Sequence, residues 1–458
     1  MTLVPIPDQS PAPSAIPLPT ATARPIPSAT PTAQPKIAPT LARYFITPPP
    51  DATIVTPIPT PVAAATVPAE VINILLIGTD SRPTDTTFRT DTLIVASINK
   101  HTNAVTLLSI PRDLYVYIPY FGMGRINQAY GAGKNYPEGA PALIKQTLLY
   151  NLGVPIHYYA LVNFTGFRQI VNALGGIDVP VTCQLTEYKL RDWALDEADP
   201  ANYDLYTQTV GLAHMDGDIA LWYARARPVG GDFFRSYRQR QVLRAIYRAG
   251  MQAGVVTRAP ELYGAFKDVV QTDLGLWEVM QFVPMAPQMN DTTLRTLAIG
   301  PNQTTGWTTP RGDAVLLPRA EPILQIVADL LSTAPVTKTE APVVPIVEIW
   351  NVSAPVGTET LAAETLRNDG FAPTLGAPTT TPYTQTTLIV FAPQPDEATL
   401  KHLKTLLHLP EANVVADPQS DNPIPYRVLL GADYNPCPRL DWIAPSLLPP
   451  TAAPTPIK

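Results

Sequence analysis

Val-Ile-Asn-Ile-Leu-Leu-Ile-Gly at Val71–Gly78, followed by Thr79-Asp80-Ser81-Arg82, decides the fold. The run is short, aliphatic and closed by a glycine, which predicts a buried strand. DTLIVASIN at 91–99 and AVTLLSI at 104–110 read as second and third strands. Further along, 140–152 has helical periodicity, YYALVNF at 158–164 is a strand, and Thr165–Leu174 is a helix capped by Gly175-Gly176. IDVPV at 177–181 is another strand, while 184–210 reads as polar and irregular. DGDIALWYARA at 216–226 opens on an N-cap-like aspartate and precedes a helix over 232–249. Helical segments follow near 259–271 and 275–286, then a strand at 293–300 and a closing helix at Glu321–Leu331. Strands alternating with helices predict an α/β sandwich.

That unit takes residues 68–331. The chain has 458 residues, with 54 prolines and 25 glycines. Residues 1–67 are rich in Pro, Thr and Ala and read as an extended, disordered spacer. A second Pro/Thr/Ala stretch at 332–342 is a linker. Residues 343–440 read as a smaller α/β domain: strand IVEIWNVS, helix Thr358–Asp369, strand TTLIVFAP, helix 396–408 and strand YRVLLG. A Pro-rich tail occupies 441–458.

Composition removes several function classes. The net charge is −6 and no helix-turn-helix is visible, which disfavours DNA. No run reaches the roughly 18 apolar residues needed to span a bilayer, and no signal peptide is visible after Met1. No Cys/His spacing suggests zinc. The two cysteines, Cys183 and Cys437, fall in different domains, and the geometry a disulfide demands makes their pairing unexpected. His101, His157 and His214 are scattered and read as structural. Tyr115, Tyr117 and Tyr120 read as strand packing.

The helix over 232–249 carries the strongest functional signal. At about 100° per residue, Arg235, Gln239, Val242 and Ile246 share one face, with Arg238 and Leu243 at its flanks. Arg240, Arg244 and Arg248 fall opposite and read as a solvated stripe. Guanidinium groups at the edge of an apolar face require an anionic partner. Asp80-Ser81-Arg82, Arg89-Thr90-Asp91, Arg112-Asp113 and Arg225/Arg227 with Asp232 each sit at a strand or helix end, where α/β sheets bind ligands. Arginine forks suit phosphate oxygens, and one or two carboxylates suit magnesium beside a phosphorylated substrate. No P-loop glycine pattern is present, so the expected ligand is a pyrophosphate with Mg²⁺, and not a nucleotide held in that way.

INILLIGTDSR, RTDTLIVASIN, VTLLSIPRD, RINQAYG, GGIDVPV and ALWYARAR…DFFRSYRQRQVL, in that order, resemble the LytR-CpsA-Psr (LCP) family from about Val71 to Leu331. Residues 343–435 resemble the LytR C-terminal domain. The resemblance implies an α-β sandwich with an apolar lipid pocket. It implies an extracytoplasmic phosphotransferase that moves a glycopolymer from a polyprenyl-pyrophosphate carrier to peptidoglycan at the membrane surface. The rival reading is a non-catalytic envelope protein binding polyprenyl phosphate or anionic glycan. By position, Asp80 and Asp91 hold Mg²⁺, with Mn²⁺ as a substitute. Arg82, Arg89, Arg225, Arg227, Asp232, Arg235, Arg238 and Gln239 bind the pyrophosphate. Arg112, Asp113 and Asp91 are the expected catalytic residues. The chain departs from the family in Leu114 after the PRD motif, in Arg125 where a lysine is common, and in showing no N-terminal membrane helix.

Overall fold

The computed structural model describes residues 58–80, 89–193, 195–196, 199–227, 231–254, 256–257, 259–267, 269–288, 294–332, 345–368, 371–376, 384–418 and 422–437. The expected spacer, linker and Pro-rich tail lie almost wholly outside them. The three predicted strands form as β1 (Val71–Thr79), β2 (Thr90–Asn99) and β3 (Ala104–Ser109). A hairpin, β4 (Tyr115–Ile118) and β5 (Gly122–Arg125), follows the PRD turn. Tyr115 and Tyr117 are buried in it, but Tyr120 is an exposed turn residue with φ 74°, so only two of the three tyrosines pack a strand.

Next come α1 (Ala129–Ala132), α2 (Ala140–Leu152), β6 (Tyr158–Asn163) and α3 (Phe164–Ala173). Asn163 caps α3 by accepting from Gly166 N at 2.8 Å. The Gly175-Gly176 stop is a C-cap: both have positive φ, and Gly176 N donates to Val171 O at 3.0 Å. β7 (Ile177–Val181) pairs with β10 (Gly211–Met215), and between them runs a second hairpin, β8 (Leu185–Leu190) and β9 (Tyr203–Gln208). The stretch expected to be irregular is thus largely a β-hairpin. Its polar faces conceal the strand pattern, because one side is solvated.

α4 (Gly217–Arg225) and α5 (Gly231–Gln252) are followed by α6 (Ala259–Phe266), β11 (Val270–Thr272) and α7 (Leu276–Phe282). The helix expected to 271 stops at α6 because β11 adds to the sheet edge beside β6. β12 (Leu294–Ala298), the hairpin β13 (Thr304–Thr308) and β14 (Ala314–Pro318), and α8 (Ala320–Leu331) complete the first unit.

The main sheet has the order β11-β6-β1-β2-β3-β12. One face buries Leu75, Ile77, Leu93 and Leu108 against Leu143 and Leu148 of α2 and Ile326 and Leu330 of α8. Each fully buried aliphatic contributes about 1.5–3 kcal/mol. The other face is roofed by α3, α4 and α5. This is the α-β sandwich that the strand–helix alternation predicts.

A second sheet, β16-β15-β19-β17-β18, is built from β15 (Ile346–Asn351), β16 (Ala372–Leu375), β17 (Thr387–Val390), β18 (Val414–Ala416) and β19 (Tyr426–Leu430). α9 (Thr358–Asn368) and α10 (Glu397–Leu406) supply Ala362, Leu366 and Leu403 to its own core, with Val347, Ile349 and Val428.

Two contacts join the units and overturn two expectations. Cys183 and Cys437 form a disulfide. Sequence separation said nothing of the fold that brings the end of the second unit against the segment after β7. The stripe Arg240, Arg244, Arg248 is only partly solvated: Arg240 is half-buried, Arg244 is 5% exposed and donates to Leu294 O at 3.2 Å, and Arg248 is ion-paired with Glu364 of α9. A wheel drawn for one helix does not show that β12 and α9 meet its outer side.

A crosslink closing so long a loop removes on the order of 5 kcal/mol of unfolded-state entropy in the chain-entropy view. Replacing both cysteines by serine should therefore lower the calorimetric midpoint by roughly 10 °C with the far-UV spectrum unchanged at room temperature. An unchanged midpoint would show that the crosslink adds no stability.

Candidate active site

Between the roofed face of the sheet and α3, α4 and α5 lies a cavity of about 700 Å³. Leu76, Ile94 and Ala160 line it from the sheet, and Ile170, Leu221 and Ile246 from the helices. Its size falls within the roughly 300–1,000 Å³ of ordinary ligand pockets. The β8–β9 hairpin walls one side with Tyr188, Leu190 and Tyr203. Polar groups enter the lining as Asp91, Arg225, Arg227, Arg235 and Gln239.

Asp91, the second residue of β2, is the centre of the charges. Its Oδ1 accepts from Arg112 Nη1 at 2.6 Å and lies 3.7 Å from Arg227 Nη2 and 4.0 Å from Arg235 Nη1. Arg235 also donates through Nη2 to the Asp91 carbonyl at 3.3 Å. Arg235 is 2% exposed, the anionic partner anticipated for it being an internal carboxylate. Three guanidinium groups on one carboxylate leave local positive charge in excess, which is a setting for a further anion. Arg112 continues outward to Asp113, Nε to Oδ2 at 3.5 Å.

The remaining expected residues divide. Gln239 lines the cavity and donates to Ala224 O at 3.4 Å. Arg225 lines it too, but its guanidinium lies over Phe164, 4.1 Å from the ring centroid, with Trp193 at 5.6 Å. Cation–π contacts of this kind hold the fork in place while leaving its edge available. Arg238 does not reach the cavity. It is 7% exposed and its guanidinium binds the Tyr223 and Ala226 carbonyls at the end of α4, so it ties two helices together. Burial pulls its pKa below the usual arginine value. Arg89 is exposed at the start of β2. Arg82 and the Asp232 side chain lie outside the described parts of the structure.

Asp80, at the end of β1, has its carboxyl pushed above the usual range by burial and, next, by the charge of Asp91; hydrogen bonds from the Arg89 and Asp80 backbone oppose this. Like charges crowded at a strand end fit a divalent cation, which relieves their repulsion. Among the described residues no group of three or more His, Cys, Asp or Glu side chains could hold a metal ion.

Phe164 and Trp193 escaped the sequence reading. Trp193 lies in the stretch read as irregular, and Phe164 was counted only as the end of a strand.

The fold and site define a class: an α/β sandwich enclosing an apolar cavity with arginines in its lining. The chain belongs to the LytR-CpsA-Psr family, whose model (LytR_cpsA_psr family) matches residues 59–314, more than half of its length. It is similar to the polyisoprenyl-teichoic acid–peptidoglycan teichoic acid transferase TagU of Oceanobacillus iheyensis, 36% identical over 209 residues, 45% of this chain and 60% of that protein. The TagU of Enterococcus faecalis is 33% identical over 210 residues, 45% of this chain and 62% of its own. The chain thus spans about 60% of the length of the first of these curated relatives. The crystal structure of B. subtilis TagV covers 57% of this chain and 97% of its own at 25% identity and a TM-score of 0.47.

Proposed function

We propose that this protein transfers a glycopolymer from a polyprenyl-pyrophosphate carrier to peptidoglycan, with Mg²⁺, at the extracytoplasmic membrane surface. The observation that carries the reading is an apolar cavity of about 700 Å³ whose lining turns cationic at Arg225, Arg227 and Arg235. Family membership and the likeness to the TagU transferases support it. The disulfide fits an oxidising compartment outside the cytoplasm. Among the described residues no helix is long and apolar enough to cross a membrane.

The prenyl tail occupies the cavity, where each buried methylene contributes about 0.8 kcal/mol. The pyrophosphate takes over Arg112, Arg227 and Arg235 from Asp91, with Arg225 and Gln239 at its sides. Asp91 serves as the counter-ion that keeps these forks gathered before the donor arrives. Once they have turned to phosphate oxygens, Asp91 is free to accept the proton of the incoming sugar hydroxyl. The hydroxyl oxygen bonds to the phosphorus next to the glycan, the bridge to the second phosphorus breaks, and polyprenyl phosphate leaves. Asp113 keeps Arg112 in line for this step. Asp80 and one oxygen of Asp91 would hold the Mg²⁺, which neutralises charge on the phosphates when bound, leaving the other Asp91 oxygen for the proton.

The rival is a binder that uses the same arginines without turnover. Incubation with a polyprenyl-pyrophosphate glycan, peptidoglycan and Mg²⁺ should release polyprenyl phosphate and label the wall polymer. Tight binding of the donor with no lipid phosphate released would replace the transferase by the binder.

A further inference from the structure

Arg112 is the inner end of a line of alternating charge. Its Nη1 meets Asp91 at 2.6 Å and its Nε lies 3.5 Å from Asp113 Oδ2. The other oxygen of Asp113, Oδ1, lies 3.5 Å from Arg125 Nε. Arg125 Nη2 then lies 3.2 Å from Asp313 Oδ1 and donates to Ala314 O at 3.0 Å. The sequence runs carboxylate, guanidinium, carboxylate, guanidinium, carboxylate, from the cavity lining to the β13–β14 turn.

The backbone fixes the same path. Arg125 ends β5 and pairs with Tyr115 of β4. Leu316 of β14 donates to the Asp113 carbonyl at 3.0 Å, and Leu114 bridges Leu316. The hairpin β13–β14 is therefore sewn to the turn that presents Arg112, and Trp307 of β13 packs edge-on against Tyr115 at 5.8 Å. Asp113 has two oxygens and two guanidinium neighbours, one for each. Without Arg125, nothing divides the carboxylate between two partners, and it can turn both oxygens onto Arg112. A bidentate pair there competes with Asp91 and with the donor phosphates for the same fork.

We propose that Arg125 and Asp313 are positioning residues for the transfer step: they hold Asp113 so that it fixes Arg112 along one edge and leaves the other edge for the phosphates. Neither touches the cavity lining, and their action passes through Asp113. The inference rests on the transferase reading above.

The test is steady-state transfer from a polyprenyl-pyrophosphate glycan by the full chain. Arg125→Gln should lower kcat about tenfold with the donor KM changed less than about twofold, since Arg225, Arg227, Arg235 and the cavity still hold the donor and only the Arg112 fork is misaligned. Asp313→Asn, at an exposed site that folding tolerates, should lower kcat about threefold. Arg125→Lys, which keeps the charge, should recover most of the rate. The decisive comparison is Asp113→Asn with and without Arg125→Gln. If Arg125 acts through Asp113, the double variant is no slower than Asp113→Asn alone. Multiplying defects, or wild-type kcat in Arg125→Gln, overturn the inference while leaving the transferase reading in place. A wild-type chain that binds donor and releases no lipid phosphate removes the transferase reading, and this inference with it.

Discussion

Asp91→Asn should reduce transfer by at least about a hundredfold and also lower stability, because one carboxylate gathers three guanidinium groups. Asn is the same size and still offers an oxygen, so the loss is of charge. Arg112 at 2.6 Å, Arg227 at 3.7 Å and Arg235 at 4.0 Å would then repel one another across the opening with no shared anion. Arg235 suffers most, being 2% exposed, because a charge deprived of its partner in a buried place is costly. Asp91 itself is 20% exposed, and solvent screening discounts the penalty to about 1–2 kcal/mol. The rate loss has a separate origin. Asp91 is the proton acceptor of the proposed mechanism, and general-base removal alone is worth about 10²–10⁴. It is also one of the two carboxylates offered to Mg²⁺. Raising Mg²⁺ should therefore not restore the variant. Full transfer by Asp91→Asn, in product assays at saturating donor, would rule out a carboxylate centre.

How much of this was legible beforehand varies by kind of residue. Five of the six strands of the main sheet were plain, because runs such as VINILLIG and DTLIVASIN bury most of their aliphatic side chains and few other solutions exist for them, while β11 was read as the end of a helix. Asp91, Arg112 and Arg235 were legible because charge on or beside an apolar element demands a partner. Arg238 was read from the same wheel as Arg235, yet it serves the end of α4. A wheel gives an angle, and the neighbour at that angle is a tertiary fact. The solvated reading of Arg244 and Arg248 failed for the same reason, with β12 and α9 standing where solvent was assumed. The Cys183–Cys437 bond was hidden because nothing local in either segment encodes the docking of the two units. Arg125 and Asp313 meet only because two hairpins distant in the chain are stitched side by side. The β8–β9 hairpin, which walls the cavity, has a half-solvated pattern too polar to stand out as a strand pair.

Arg235→Met should separate activity from stability in the opposite sense to Asp91→Asn. Methionine fills much of the volume of the arginine stem and carries no charge. Removing one partner of a buried ion pair ordinarily strands the other, but here Asp91 keeps Arg112 and Arg227. What disappears is the desolvation penalty of a guanidinium 2% exposed and its repulsion with two like neighbours. The midpoint of thermal unfolding should hold steady or rise by a few degrees, as is common where a site stores unfavourable charge for function. Transfer should nonetheless fall by about 10²–10³, the usual loss when one preorganised donor to developing charge is deleted. Donor binding should weaken at least about tenfold, since a charge-assisted bond to phosphate contributes roughly 1.5–3 kcal/mol. Binding of a prenyl alcohol lacking phosphate should not change, because the cavity wall formed by Leu76, Ile94 and Ile246 is intact. A variant that unfolds at lower temperature, or one that keeps transfer within about threefold of wild type, would place Arg235 in the scaffold and outside the anion clamp.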